Sequence, residues 1–201
     1  MGRISTFDRL LLLLTMITAA YQVVKGVEGL DTFTIACYTV AFGVLLIAAL
    51  LLLILGFEIL ESPLVVIVST IIPLSLSLGL VSQFLSDYTA VYLVFTVLGF
   101  AAVVITRFFT PGRIAVIVLA IVHGVAGLII FILPIVLGLQ GETSIGFLLV
   151  SLGGALIGLG GMLLAFLKTG KPILPQETIL RVLPGLLFLM TLSFVAGFAF
   201  L

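Results

Sequence analysis

The chain has 201 residues, of which 63% are hydrophobic and only 8% are charged, and its formal net charge is zero. A soluble domain carries about 25% charged residues, so the composition excludes an ordinary soluble domain and indicates a membrane protein. Without a dense basic run, nucleic acid is not expected as a partner, and the single cysteine, Cys37, excludes an intrachain disulfide.

Seven apolar segments, separated by short polar breaks, follow one another along the chain. A membrane-spanning helix needs about 20 apolar residues, and within a bilayer the backbone has to form its hydrogen bonds inside its own helix. We therefore expect transmembrane helices over residues 8–25, 32–57, 64–85, 88–106, 114–138, 144–167 and 182–201. The predicted fold class is all-α, a polytopic integral membrane bundle of seven helices that forms a single domain over residues 1–201.

The basic residues divide unevenly between the two ends of this predicted bundle. One end receives only Lys25, and the end that holds the N-terminus receives the other seven: Arg3, Arg9, Arg107, Arg113, Lys168, Lys171 and Arg181. Cytoplasmic loops are enriched in Lys and Arg. The sequence therefore predicts a cytoplasmic N-terminus, a C-terminus on the outside, and a location in the plasma (inner) membrane.

A weak internal repeat is a further hypothesis. An offset of 111 residues aligns Gly43 with Gly154 and Pro73 with Pro184. Predicted helices 1–3 and 5–7 would then form two parallel units, with helix 4 as the connector between them. Transporters built from parallel repeats share this plan.

Small residues are concentrated in the sixth predicted helix. They let two helices approach closely in a membrane, which predicts a packing interface with another helix of this chain or with a partner. A groove for a lipid tail, a quinone or a substrate is the alternative. The residues of this predicted interface are Gly146, Gly153, Gly154, Gly158, Gly160 and Gly161.

Polar side chains form stripes along several of the predicted helices. Hydrogen bonds between helices explain such stripes, and a polar pathway through the bundle is the alternative. A pathway would require the following side chains to line a central cavity: Thr18, Gln22, Ser69, Ser77, Tyr92 and His123. Pro73 predicts a kink in the third helix, because it removes a backbone donor.

His123 is the one histidine of the chain, and an ionisable side chain in the middle of a span is a functional candidate. It is either a neutral histidine bonded to a neighbouring helix, or a group for proton transfer, quinone contact or ligation of a metal shared with another subunit. One histidine excludes a bis-histidine haem within this chain, and no zinc site is expected. We predict no resident cofactor, and a bound lipid or quinone stays open.

Charged residues at the predicted cytoplasmic end suggest ion pairs or contacts with anionic lipid headgroups. Glu58 and Glu61 lie three residues apart and could pair with the basic residues of the same end. The full set is Glu58, Glu61, Arg107, Arg113, Lys168, Lys171 and Arg181.

Three classes of function fit the sequence. A non-catalytic, helix-packing subunit of a larger membrane complex is favoured, because no catalytic motif is present; its partners would be the lipid bilayer and other membrane subunits or a second copy. A small transporter or channel for a neutral or weakly polar solute is the alternative, motivated by the repeat and the polar stripes. The third is a membrane enzyme that uses His123 or the Glu58 and Glu61 pair as acid and base.

Overall fold

The computed structural model describes residues 4–110, 112–168 and 174–201, with the backbone alone for Glu61 and residues 165–168. These residues form seven long α-helices and three short 3₁₀ turns. The long helices are α1 (Thr6–Lys25), α2 (Thr32–Leu55), α3 (Pro63–Phe84), α4 (Thr89–Phe109), α5 (Arg113–Gln140), α6 (Leu148–Lys168) and α7 (Gln176–Phe198). All seven lie in segments that are long and apolar enough to cross a membrane.

Local sequence signals set several helix ends. At the start of α1 the Ser5 hydroxyl accepts from the Asp8 N–H while the Asp8 carboxylate accepts from the Ser5 N–H, which forms a capping box. Asp31 caps α2 by accepting from two backbone N–H groups of its first turn. Gly56 ends α2 with a φ of 78°, a left-handed conformation that favours glycine.

Six helices form a closed ring in the order α1, α2, α3, α5, α6, α7, and α4 lies outside this ring, packed mainly on α3 and α5. We call the end of the bundle at which α1, α3, α5 and α7 begin the base, and the opposite end the top. The ring contains α1–α3 and α5–α7 as two sets that pack in the same sequence. A parallel duplication with α4 as connector would produce this arrangement, and the repeat itself stays a prediction.

Aromatic and aliphatic side chains fill the inside of the ring. The ring centroid of Phe198 lies 4.6 Å from that of Tyr38, 5.9 Å from that of Phe42 and 6.3 Å from that of Phe147. Further buried side chains at the centre are Leu45, Ile72, Leu76, Leu80, Ile130, Val150, Met190 and Phe194. A crevice lined by apolar side chains of α2, α3 and α7 has no space wide enough for a water molecule.

Several helices begin or end a few residues away from the predicted bounds, and the last helix differs most. The last helix begins at Gln176 rather than at residue 182, so Arg181 lies in its second turn and not before it. The fourth helix continues to Phe109 rather than ending at residue 106, and so contains Arg107. Apolar character marks only the part of a helix that suits hydrocarbon, whereas helical hydrogen bonding continues through the polar turns beyond it.

Candidate functional site

The six glycines predicted as one packing interface lie in different environments. Gly153 and Gly160 face α7, where a β-carbon would lie 2.5 Å from the Phe194 ring or 2.7 Å from the Leu186 side chain. Gly146 belongs to the 3₁₀ turn before α6 and lies against an aromatic ring near the C-terminus. These three glycines therefore serve close packing within the chain.

Gly154 and Gly158, which form a GxxxG pair in the sequence, do not meet the same partner. A β-carbon on Gly154 would lie 3.2 Å from the backbone atoms of Ile130 and Phe131, so α6 and α5 touch there almost backbone to backbone. Gly158 and Gly161 are exposed, and no atom of a neighbouring described side chain or helix lies within 4 Å of the position of their β-carbon. Gly154 therefore packs against α5 within the bundle, whereas Gly158 faces outward.

The six polar side chains predicted to line a pathway are not all brought together. Thr18 and Ser69 each donate to a carbonyl of their own helix, at 2.8 and 3.1 Å, and the Gln22 amide donates to the Gly26 carbonyl at 3.0 Å. Such bonds satisfy polar side chains without a neighbouring helix or a water molecule. The centre of the ring is occupied by apolar side chains instead.

Ser77 and Tyr92 are the two members of this predicted set that contact each other. The Tyr92 hydroxyl of α4 donates to the Ser77 oxygen of α3 at 2.8 Å, and the Ser77 hydroxyl donates to the Pro73 carbonyl at 2.6 Å. Ser77 is fully buried and Tyr92 is 9% exposed. This hydrogen bond links α4, which lies outside the ring, to α3 one turn from Pro73.

A polar cluster at the top of α2 and α3 is absent from the sequence-based predictions. The hydroxyls of Thr34 and Ser82 are 2.9 Å apart, and the buried Tyr38 hydroxyl donates to the Gln83 side-chain oxygen at 2.8 Å. Thr34 also donates to the Asp31 carboxylate, and this bond is the main cause that holds the pKa of Asp31 below its usual value of 3.8. The sequence carried a signal for this cluster. Polar residues lie in the first turns of α2 and in the last turns of α3, and these turns meet at one end of an antiparallel helix pair.

His123 is half-buried on α5, and its Nδ1 lies 3.2 Å from the Leu119 carbonyl oxygen one turn earlier. A carbonyl can only accept, so in the neutral imidazole Nδ1 carries the proton and Nε2 carries the free electron pair. The Arg107 Nε is enclosed and has no hydrogen-bond partner among the described residues.

The charged set of the base is only partly described. Its exposed members are Glu58, Arg113 and Arg181, and Arg107 is partly buried. Lys171 lies outside the described residues, as do the side chains of Glu61 and Lys168. Ion pairs or headgroup contacts at this end therefore stay a prediction.

The described residues contain no group of three or more His, Cys, Asp and Glu side chains that could hold a metal ion. No protein-family model, curated protein or solved structure matches this chain. Its function therefore has to be inferred from geometry and chemistry.

Proposed function

We propose that this protein is an integral membrane protein of the plasma (inner) membrane and a non-catalytic, helix-packing subunit of a larger membrane assembly. Its N-terminus lies in the cytoplasm and its C-terminus outside. The observation that carries the proposal is the contrast between a ring interior filled with apolar side chains and an outer surface that is least covered at α4 and α5.

The least covered helices are α4 and α5. Only 17% of the apolar span of α5 and 22% of that of α4 is buried, compared with 61% of that of α3. Outward-facing small residues, Gly158 and Gly161 on α6 and Gly124 on α5, lie beside this surface. Another helix could approach closely at these positions, where dispersion forces act between well-packed surfaces.

The filled interior favours this proposal over a transporter or channel. A pathway for a polar solute needs polar groups that face a common space, and the hydroxyls of Thr18 and Ser69 are bonded to their own helices. The enzyme hypothesis rests on either His123, which lies on α5, or the Glu58 and Glu61 pair, of which Glu58 is exposed before α3.

Mild detergent extraction from native membranes, followed by mass spectrometry of the purified material, tests the proposal. We expect companion subunits in fixed stoichiometry, and we expect Gly158→Leu and Gly161→Leu to release them. Gly43→Leu is the matched control, because Gly43 of α2 also has no atom within 4 Å of its β-carbon position. A protein that purifies alone, or whose companions are unaffected by both α6 variants, would contradict the proposal.

A further inference from the structure

The hydroxyl of Ser151 on α6 is buried and unpaired. The side chain is 4% exposed, and its Oγ has no hydrogen-bond partner among the described residues. Thr191 and Ser193 of α7 are also buried, and each donates to the carbonyl four residues earlier at 2.7 Å. An unpaired hydroxyl in a buried position is destabilising. The surroundings of Ser151 therefore have to be searched for an acceptor outside its own helix.

Ser151 lies on the side of α6 that packs against α5. A β-carbon on Gly154 would lie 3.2 Å from the carbonyl carbon of Ile130, and a β-carbon on Gly138 would lie 3.2 Å from the Leu148 side chain. Ser151 is three residues from each of the two α6 positions in these contacts. Three residues are almost one helical turn, so the Ser151 side chain points toward α5 between the two contacts.

The residue of α5 opposite Ser151 is a proline. Position 134 is midway between 130 and 138, as Ser151 is midway between 148 and 154 on the antiparallel helix α6. Pro134 is buried inside α5 and has no N–H, so it cannot donate to the Ile130 carbonyl. A helical carbonyl points toward the residue four positions later. The Ile130 oxygen is therefore directed to the level of Ser151, and an unpaired donor meets an acceptor that lacks its usual donor.

The same arrangement occurs between α3 and α4. The Thr96 Oγ1 of α4 is enclosed and has no hydrogen-bond partner among the described residues. Thr96 lies four residues after Tyr92, and Pro73 lies four residues before Ser77, to which Tyr92 is bonded. Because α3 and α4 are antiparallel, Thr96 is at the level of Pro73, which leaves the Ser69 carbonyl without its usual donor. Two unpaired helix hydroxyls thus each lie opposite a proline of a neighbouring helix.

A single water molecule suits the chemistry of each pair. The Ser151 hydroxyl does not bond directly to the Ile130 carbonyl. Ordered waters bridge buried polar groups that do not meet directly and that would otherwise be unsatisfied. Within a membrane they are one of the means by which backbone groups freed by a proline are satisfied. A water accepts from a hydroxyl and donates to a carbonyl, so it supplies what both groups lack.

We propose that the Ser151 hydroxyl and the Ile130 carbonyl bind one buried water between α5 and α6, and that the Thr96 hydroxyl and the Ser69 carbonyl bind a second one between α3 and α4. Each water links two helices at the level of a proline. The inference goes beyond the proposed subunit function and does not depend on it, because all of these groups belong to this chain.

Ser151→Ala tests the first site, because its effect on stability has opposite signs for a bridged and for an unpaired hydroxyl. We expect it to lower the equilibrium constant of folding in mixed detergent micelles by about fivefold. Pro134→Ala supplies the missing N–H to the Ile130 carbonyl, so Ser151→Ala should have little effect when combined with it. Ser193→Ala is the matched control, since Ser193 bonds to the Leu189 carbonyl and its effect should not depend on Pro134→Ala.

Thr96→Val combined with Pro73→Ala repeats the test at the second site, and it replaces the first if Pro134→Ala does not fold. Circular dichroism establishes folding. Three results would overturn the inference. A gain in stability on Ser151→Ala would show that its hydroxyl is unpaired. An equal loss with and without Pro134→Ala would show that the hydroxyl is bound elsewhere.

The third result comes from a high-resolution structure of the purified protein. We expect density for a water within about 3 Å of both the Ser151 Oγ and the Ile130 oxygen. A direct bond between these two atoms, or the absence of a water between them, would overturn the inference. None of these measurements depends on whether companion subunits co-purify.

Discussion

Most hydroxyl groups in this bundle donate to carbonyls of their own helices. We therefore expect that the loss of one hydrogen bond between helices lowers the stability of the fold only slightly. Tyr92 and Ser77 form such a bond between α4 and α3. We expect Tyr92→Phe to lower the free energy of unfolding by about 0.6 kcal/mol, because Ser77 keeps its bond to the Pro73 carbonyl.

Ser77→Ala is expected to cost more, about 2 kcal/mol, because it leaves the Tyr92 hydroxyl without a partner in a buried position. Denaturation of both variants in mixed detergent micelles measures the difference. A Tyr92→Phe loss equal to or larger than that of Ser77→Ala would contradict this account of the pair.

The cap of α2 predicts a dependence of stability on pH. The Thr34 hydroxyl lowers the pKa of the Asp31 carboxyl in the folded protein. A carboxyl with a lowered pKa adds stability above its usual value of 3.8, and this stability is lost as the pH falls through the pKa of the folded state. We expect the melting temperature, followed by circular dichroism, to drop as the pH is lowered through this range.

Asp31→Asn supplies the control for this titration. An Asn side chain can still cap the helix, but it carries no proton to gain, so the part of the pH dependence that comes from Asp31 should disappear. An identical drop in the melting temperature of both proteins would assign the effect to other carboxyl groups.

At the scale of the helices, α6 carries glycines with opposite roles. Ala at position 154 would place a β-carbon 3.0 Å from the Ile130 side chain and 3.2 Å from backbone atoms. We expect Gly154→Ala to destabilise the bundle by about 1–3 kcal/mol, because the two helices have to move apart.

Gly158→Ala is the matched substitution one turn further along the same helix. Among the described residues, no neighbouring atom lies within 4 Å of its β-carbon position, and Ala favours a helix over Gly by up to about 1 kcal/mol. We expect this variant to be as stable as the wild type or more stable. Unfolding of the two variants under the same conditions tests the difference, and the reverse order would show that the α5–α6 contact lies elsewhere.

At the scale of the whole molecule, the orientation in the membrane is the prediction with the widest consequences. Single cysteines introduced by Arg113→Cys and Arg181→Cys should react with a reagent on the cytoplasmic side. Those introduced by Glu28→Cys and Glu142→Cys should react on the outside. All four positions are exposed, and Cys37→Ala removes the natural thiol. Labelling of positions 113 and 181 from different sides would disprove the predicted topology.

The ring order gives the molecule a two-part architecture that the chain order alone does not show. Helix α3 packs on α5, and α7 packs on α1. The third helix of each set of three therefore contacts the first helix of the other set. Pro73 of α3 and Pro184 of α7 are both buried inside their helices. A duplicated three-helix unit would account for these features and stays a prediction; α4 would then be the helix that returns the chain to the base.

The amino-acid sequence by itself predicted the all-helical fold and seven long apolar helices, and both are confirmed among the described residues. Length and apolar character are local properties, and a bilayer-sized apolar segment has to form a helix. The same information misplaced the start of α7, because Arg181 ended the apolar run while the helix had already begun at Gln176.

Only the tertiary structure decided which side of each helix faces another helix. Gly154 and Gly158 look equivalent in the sequence, yet one touches the α5 backbone and the other is exposed. It also decided that α4 lies outside the ring. In a soluble protein, the contrast between a polar exposed face and an apolar buried face shows which side of a helix is packed. In a membrane this contrast is lost, because lipid tails are as apolar as the leucine side chains of a neighbouring helix. Helix pairing then depends on the fit between surfaces, and that fit is a property of the assembled bundle.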